Sequence, residues 1–278
     1  MPCTPCLRQD AAAPGRRTGR STFRPAFTAA VLAVCGMFLA LAAPAAQKSA
    51  EKQKGPSAGP YEKRTVEGWT VHVGEPLLED HPELADQAIR ILSNQLFDIR
   101  RTLPDRAVER LQEVPIWLQY RCGDIACASY HPSPRWLEQH GYNPDKAGAV
   151  DIGHAEHFAG WTTQQHSMVL HELAHAYHHQ VLGYDHEGIK EAYQRAKDAG
   201  LYDSVLQWRG QRQQHYALQN GQEFFAEMTE AYFGVNDFYP FVRAELQDYD
   251  PETAALVRQL WSSDSAGSDG GGSSGSEK

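Results

Sequence analysis

Cysteine is scarce in this chain, positive charge is in deficit, and no segment repeats. Five cysteines occur in 278 residues, and only Cys122 and Cys127 lie beyond residue 46. A C-x4-C pair supplies half a metal site at best, so a zinc site built from thiolates is excluded. Lys and Arg number 26 against 35 Asp and Glu, a formal charge of −9. That balance disfavours nucleic acid and anionic membrane surfaces as partners. The absence of a repeat excludes a solenoid. From Ser262 to Lys278 no apolar residue occurs beyond Ala266, so this Ser/Gly/Asp-rich tail has nothing with which to build a core.

Residues 1–46 read as a targeting segment. Arg8, Arg16, Arg17, Arg20 and Arg24 form a basic start, Phe27 to Ala43 is almost wholly apolar, and Ala43-Pro44-Ala45 offers an A-x-A cleavage signal. The expectation is export to a periplasmic, extracellular or cell-surface location. The alternative is an uncleaved N-terminal anchor, the one route by which this chain meets a membrane. Cleavage removes five Arg and one Asp and leaves a charge of −13. Residues 47–60, with Lys, Gly, Ser and Pro, read as a linker. About 200 residues (61–261) then remain for one domain with a sizeable core. In an exported chain, Cys122 and Cys127 are expected to close a short disulfide loop; two buried free thiols are the alternative.

What is present is the run His171-Glu172-Leu173-Ala174-His175. Met168, Val169 and Leu170 lead into it, Ala174, Tyr177 and Val181 continue an apolar stripe, and Gly183 is a stop signal, so the segment reads as a helix. Residues four apart project from one helix face, which lets His171 and His175 offer two ring nitrogens to one Zn²⁺. Glu172 stands beside that position, where a carboxylate accepts the proton of an activated water. A buried structural pair of histidines is the plain alternative. Catalytic zinc sites carry three protein ligands, so a third is required.

Asn220 to Phe233 reads as a second helix, apolar at Phe224, Phe225, Met228, Ala231 and Tyr232, with Glu223, Glu227 and Glu230 in an acidic stripe at i, i+4 and i+7. Such a stripe is ordinarily a solvated face, and Asn220-x-x-Glu223 also has the form of a capping box. Set beside H-E-x-x-H, Glu223 becomes the candidate third ligand of a His₂Glu site, with Glu227 its substitute. His178 lies too close to His175 for the third histidine of the other common zinc pattern. His178 and His179 therefore read as flanking residues.

The combination of His171 to His175 with Glu223-Phe224-Phe225-Ala226-Glu227 resembles the zinc metallopeptidases related to the catalytic domain of anthrax lethal factor, within the gluzincin class. The resemblance covers roughly residues 163–184 and 215–233. It implies that Glu223 binds zinc and that Glu227 sits behind the ligands and steadies a ligand histidine. It also implies that Tyr216, seven residues before Glu223, donates a hydrogen bond to the developing oxyanion or the leaving group. The fold it implies is an α+β zincin-like domain, with a small twisted sheet packed on the active-site helix and a mainly helical C-terminal part.

The remaining periodicity fits that class. Thr65 to Val73, Val114 to Leu118 and Ala149 to Gly153 read as strands, Ala85 to Leu103 as a helix ending at Pro104, and a final helix follows Phe241 and runs to Trp261. Val150 to His154 is a candidate edge strand for pairing with an extended substrate, an internal strand being equally compatible. The combined expectation is an exported, monomeric, zinc-dependent endopeptidase holding one Zn²⁺ per chain and acting on polypeptide. The alternative is a zinc-containing domain of the same fold that binds peptide or glycan without hydrolysing it.

Overall fold

The computed structural model describes residues 60–122 and 127–262. The expected signal segment, the linker as far as residue 59 and the tail beyond Ser262 lie outside the described residues.

The first element is a hairpin of β1 (Tyr61–Val66) and β2 (Trp69–Gly74). The single strand expected over Thr65 to Val73 is therefore two strands. Glu67 and Gly68 turn the chain between them, both at positive φ (50° and 95°), the two-residue geometry that matches strand twist. A Cβ at 68 would also displace the Gln112 carboxamide that donates to the Glu67 carbonyl. Next come α1 (Glu75–Asp80), α2 (Pro82–Thr102), α3 (Asp105–Gln112), β3 (Ile116–Leu118), β4 (Ala128–Tyr130), α4 (Pro134–Gln139), a 3-10 turn (Pro144–Lys146) and β5 (Val150–Ile152). The C-terminal part comprises α5 (Ala155–Trp161), α6 (Met168–Tyr177) with a π-helical extension (His178–Leu182), α7 (Glu187–Asp198), the short pair β6 (Val205–Leu206) and β7 (Arg212–Gln213), a 3-10 turn (Tyr216–Gln219), α8 (Gly221–Phe233), α9 (Arg243–Tyr249) and α10 (Pro251–Ser262). The architecture is mixed α and β, as expected.

The main sheet has the order β1-β2-β3-β5-β4, with β2, β3 and β5 parallel and the outer strands antiparallel to their neighbours. Strand register aligns Val71, Ile116, Val150 and Tyr130 in one buried row, with α2 and α6 over this face. The opposite row, His72, Trp117, Asp151 and Ser129, lies under the segment 131–146, whose Lys146 ammonium bonds Asp151 at 2.6 Å. The strand over 150–152 is thus internal. The edges are β1 and, beside β5, β4, three residues that no local pattern marked.

On α2, Ala85, Ala88, Leu92, Leu96 and Ile99 are buried at spacings of three and four, which turns one stripe to the sheet. Two helices are buried all round: every residue of α6, and Glu223 through Tyr232 of α8. Their mutual packing is what brings the two sequence motifs together. Asn220 caps α8, its Oδ1 accepting from Gln222 N (2.9 Å) and Glu223 N (3.0 Å), while the Glu223 carboxylate turns to the histidines. The one final helix expected is two, divided at Asp250-Pro251, with Asp250 Oδ1 accepting from Thr253 N at 3.1 Å. Trp261 anchors α10 by stacking on Tyr177 of α6 (centroids 4.2 Å) and donating from Nε1 to Thr229 Oγ1 of α8 (3.1 Å).

Candidate metal centre

His171 and His175 lie one turn apart on α6, and α8 crosses them so that Glu223 faces both. His171 Nε2 and His175 Nε2 are 3.1 Å apart, and Glu223 Oε2 lies 3.2 Å from the first and 3.4 Å from the second. Three corners of a tetrahedron around an ion bound at 2.0–2.1 Å are about 3.3–3.4 Å apart. The triangle of donors therefore has the size that one zinc ion requires. All three residues are buried, at 3–4 % exposure, so water does not satisfy them.

The groups of the triangle shift one another's protonation. Burial pushes the His171 imidazole down, yet its hydrogen-bonded partners Glu223 and Glu230, with the charges of Glu230 and Glu227, raise it well above the ordinary imidazole value. Burial pushes Glu223 up, yet His175 and His171 hold it far below the usual carboxylate range. Both directions follow from imidazoles and carboxylates that lie against one another and favour each other's charged forms. Two imidazoles and one carboxylate are a donor set suited to zinc and poorly suited to calcium or magnesium.

Behind the triangle, Glu230 Oε1 accepts from His171 Nδ1 at 2.6 Å. With that nitrogen donating, Nε2 presents its lone pair to the triangle, the arrangement that orients a metal-binding histidine. The resemblance assigned the steadying of a ligand histidine to Glu227; here the hydrogen bond to His171 Nδ1 is made by Glu230, with Glu227 within ion-pair reach of the same nitrogen. Glu227 Oε1 is 3.7 Å from His171 Nδ1, beyond hydrogen-bond range, and Glu227 Oε2 instead accepts from Asn236 Nδ2 at 2.9 Å. The acidic stripe is not a solvated face either, since Glu223, Glu227 and Glu230 are all buried.

Glu172 is buried and its Oε2 accepts from the backbone N–H of Tyr130 at 2.8 Å. A backbone donor on a paired strand cannot swing away, so the general-base candidate is held in one rotamer. Tyr130 also bonds through its hydroxyl to His179 Nδ1 (2.8 Å) and to Gln180 Nε2 (3.0 Å), tying β4 to the end of the α6 helix. Sequence reasoning missed Tyr130, which carries no motif, and Glu230, whose only signal was membership of the stripe. Tyr216 is half-buried at the head of the 3-10 turn that packs along α8.

His178 and His179 form the start of the π-helical turn. His178 is buried between Tyr184 and Phe225 (centroids 5.1 Å from each) and is pushed down to about 3 by burial and by the charges of His175, His186 and His179. The expected Cys122–Cys127 disulfide is not formed: both are buried free thiols. Their sulfurs are engaged on different elements, Cys122 Sγ accepting from Lys146 Nζ at 3.3 Å and Cys127 Sγ lying 3.2 Å from Met168 Sδ.

Residues 127–260, from the start of the edge strand into α10, match the family model described as anthrax toxin lethal factor, N- and C-terminal domain. The matched stretch contains all the residues of the triangle and the groups behind it. No curated protein and no solved structure matches the chain. Over residues 127–260 the chain is similar to that family.

Proposed function

We propose that this chain is an exported zinc-dependent endopeptidase with a zincin-like fold and one zinc ion per chain, held by His171, His175 and Glu223. The observation that carries the reading is the triangle of buried donors 3.1–3.4 Å apart, backed by a carboxylate on His171 Nδ1. Zinc bound there supplies a Lewis acid that acidifies water and polarises a carbonyl. Glu172, fixed by the Tyr130 N–H, accepts the proton of the attacking water and returns it to the leaving amine. Tyr216 donates to the oxyanion as it develops.

The edge strand supplies a track for the substrate. His131 N bonds Ala149 O at 3.1 Å, so by the alternation of an antiparallel pair Ser129 also bonds inward, while the backbone groups of Ala128 and Tyr130 face away from β5. The Tyr130 N–H is taken by Glu172 and the Ala128 carbonyl accepts from Ser129 Oγ at 2.7 Å; β4, as an outer strand, is the edge along which an extended polypeptide would add. This role moves from Val150–His154, where the sequence suggested it, to Ala128–Tyr130. Among the described residues no helix is long and apolar enough to cross a membrane. Export rests on residues 1–46, and a monomer acting on polypeptide, with no nucleic-acid partner, remains the proposal.

Glu172→Gln tests the mechanism. Purified variant and wild type are compared for bound zinc and for cleavage of an unfolded protein and a mixed peptide library. The expected result is equal zinc with turnover reduced by several orders of magnitude. Near-wild-type turnover in the variant, or a zinc-loaded wild type that binds peptide without cutting any, would overturn the peptidase reading.

A further inference from the structure

We infer that the two inner carboxylates of α8 have separate tasks: Glu230 holds the ligand histidine His171, and Glu227 holds the turn that carries Tyr216. The inference rests on the zinc-peptidase reading and deepens it.

Glu223, Glu227 and Glu230 share one helix face, and all three are buried against α6 or the segments beside it. Spacing alone leaves either of the last two able to reach the back of His171. The distances separate them. Glu230 Oε1 is 2.6 Å from His171 Nδ1, the short range of a charge-assisted bond, and Glu227 Oε1 is 3.7 Å away.

Glu227 is engaged elsewhere. Its Oε2 accepts from Asn236 Nδ2 at 2.9 Å, and the same amide nitrogen donates to the Glu227 carbonyl at 2.8 Å. With its amide so held, Asn236 presents Oδ1 to the N–H of Phe238 at 2.7 Å. The Phe238 ring stacks on His215, centroids 4.8 Å apart. His215 is fully buried, with Nδ1 3.8 Å from Glu227 Oε2, and that nitrogen accepts from Ala217 N at 3.1 Å, capping the turn Tyr216–Gln219. One carboxylate thus fixes the 236–238 loop, the loop packs the His215 ring, and the ring caps the turn at whose head Tyr216 stands. Glu227 and His215 are positioning residues. Neither is placed to touch the substrate.

The test uses the full-length protein and two readouts, zinc affinity by chelator competition and steady-state cleavage of a peptide that wild type hydrolyses. Glu230→Gln is expected to weaken zinc by 10–100-fold, the usual effect of losing the group behind a metal-binding histidine. Glu227→Gln is expected to leave zinc affinity within about twofold of wild type and to lower kcat on the order of tenfold, with little change in KM. In a Tyr216→Phe background that kcat loss should vanish, because Glu227 acts through Tyr216. Asn236→Ala breaks the same link one step further out and carries the same expectation, so poor folding of one variant leaves the other to decide. Equal loss of zinc in Glu227→Gln and Glu230→Gln would overturn the inference, as would kcat losses from Glu227→Gln and Tyr216→Phe that multiply. A wild-type protein that takes up no zinc would instead refute the underlying zinc reading, and the inference with it.

Discussion

Stripping the metal should lower the melting temperature of this domain by several degrees, a drop set by how far free zinc exceeds its dissociation constant and by the size of the domain. Four carboxylates, Glu172, Glu223, Glu227 and Glu230, are buried around His171 and His175 with exposures of 0–5 %. Imidazoles compensate two of them, Glu223 lying 3.2 and 3.4 Å from two ring nitrogens and Glu230 2.6 Å from a third, while Glu172 and Glu227 are met by the neutral donors Tyr130 N and Asn236 Nδ2. A ligand that binds the folded state alone, free at about a hundred times its dissociation constant, stabilises by about 2.7 kcal/mol. For a domain of roughly 200 residues each kcal/mol moves the midpoint by about 2–4 °C. Chelation should therefore lower the midpoint by roughly 5–11 °C under those conditions.

Differential scanning calorimetry with excess chelator and with a zinc buffer measures this directly, alongside metal analysis of the same samples. Glu223→Gln serves as the internal control. It removes one corner of the triangle, so its midpoint should respond to zinc much less than that of wild type. Magnesium or calcium should not replace zinc in wild type, because two of the three donors are imidazole nitrogens. A wild-type midpoint indifferent to zinc, or a Glu223→Gln midpoint that responds as fully as wild type, would refute the assignment of the triangle as the metal centre.

Three further outcomes follow from buried groups. His178 is held down to about 3 against an ordinary 6.5, so below pH 6.5 the unfolded chain takes a proton that the folded chain refuses. Its contribution is full above pH 6.5 and is lost as pH falls toward 3, at no more than about 1.4 kcal/mol per pH unit, and His178→Phe should flatten that limb of urea midpoints against pH. Trp261→Ala should cost about 3–5 kcal/mol in denaturant titrations, because one side chain stacks on Tyr177 and Phe225 and bonds Thr229; a loss below 1 kcal/mol would show that α10 is not an anchor. Cys122 and Cys127 should be silent toward a thiol reagent in native protein and should both react after unfolding, whereas their failure to react in denaturant without reductant would restore the disulfide.

The parts of this molecule that were legible in the sequence are those whose signal is local. The α6 helix and its H-E-x-x-H run, α8 with Glu223, and α2 with its apolar stripe are each written within a few turns of chain. The edge strand is not, because three residues acquire their meaning only by pairing with β5, some twenty residues later in the chain, and Tyr130 acquires its role only from that pairing. The hairpin was half legible: Glu67-Gly68 is a turn signal, but a two-residue turn leaves the alternation on either side nearly unbroken. Asn236 and His215 were invisible for the same reason as Tyr130, since their partners lie on other elements.

Glu227 and Glu230 show where periodicity stops. A helical wheel places both on one face with Glu223, and a face is all that it fixes. Which carboxylate reaches His171 Nδ1 depends on how α8 crosses α6, a tertiary quantity set by contacts such as Trp261 between the two helices. Yet the same two helices hold the strongest signal available once burial is known. A helix buried all round is ordinarily apolar all round, because an unpaired buried charge costs several kcal/mol. Here two such helices face each other with His171, Glu172 and His175 on one and Glu223, Glu227 and Glu230 on the other. A sequence selected for stability alone would have filled that interface with Leu and Ala. The residues kept there are those that the proposed function needs to bind a cation, to move a proton and to hold the groups that do so.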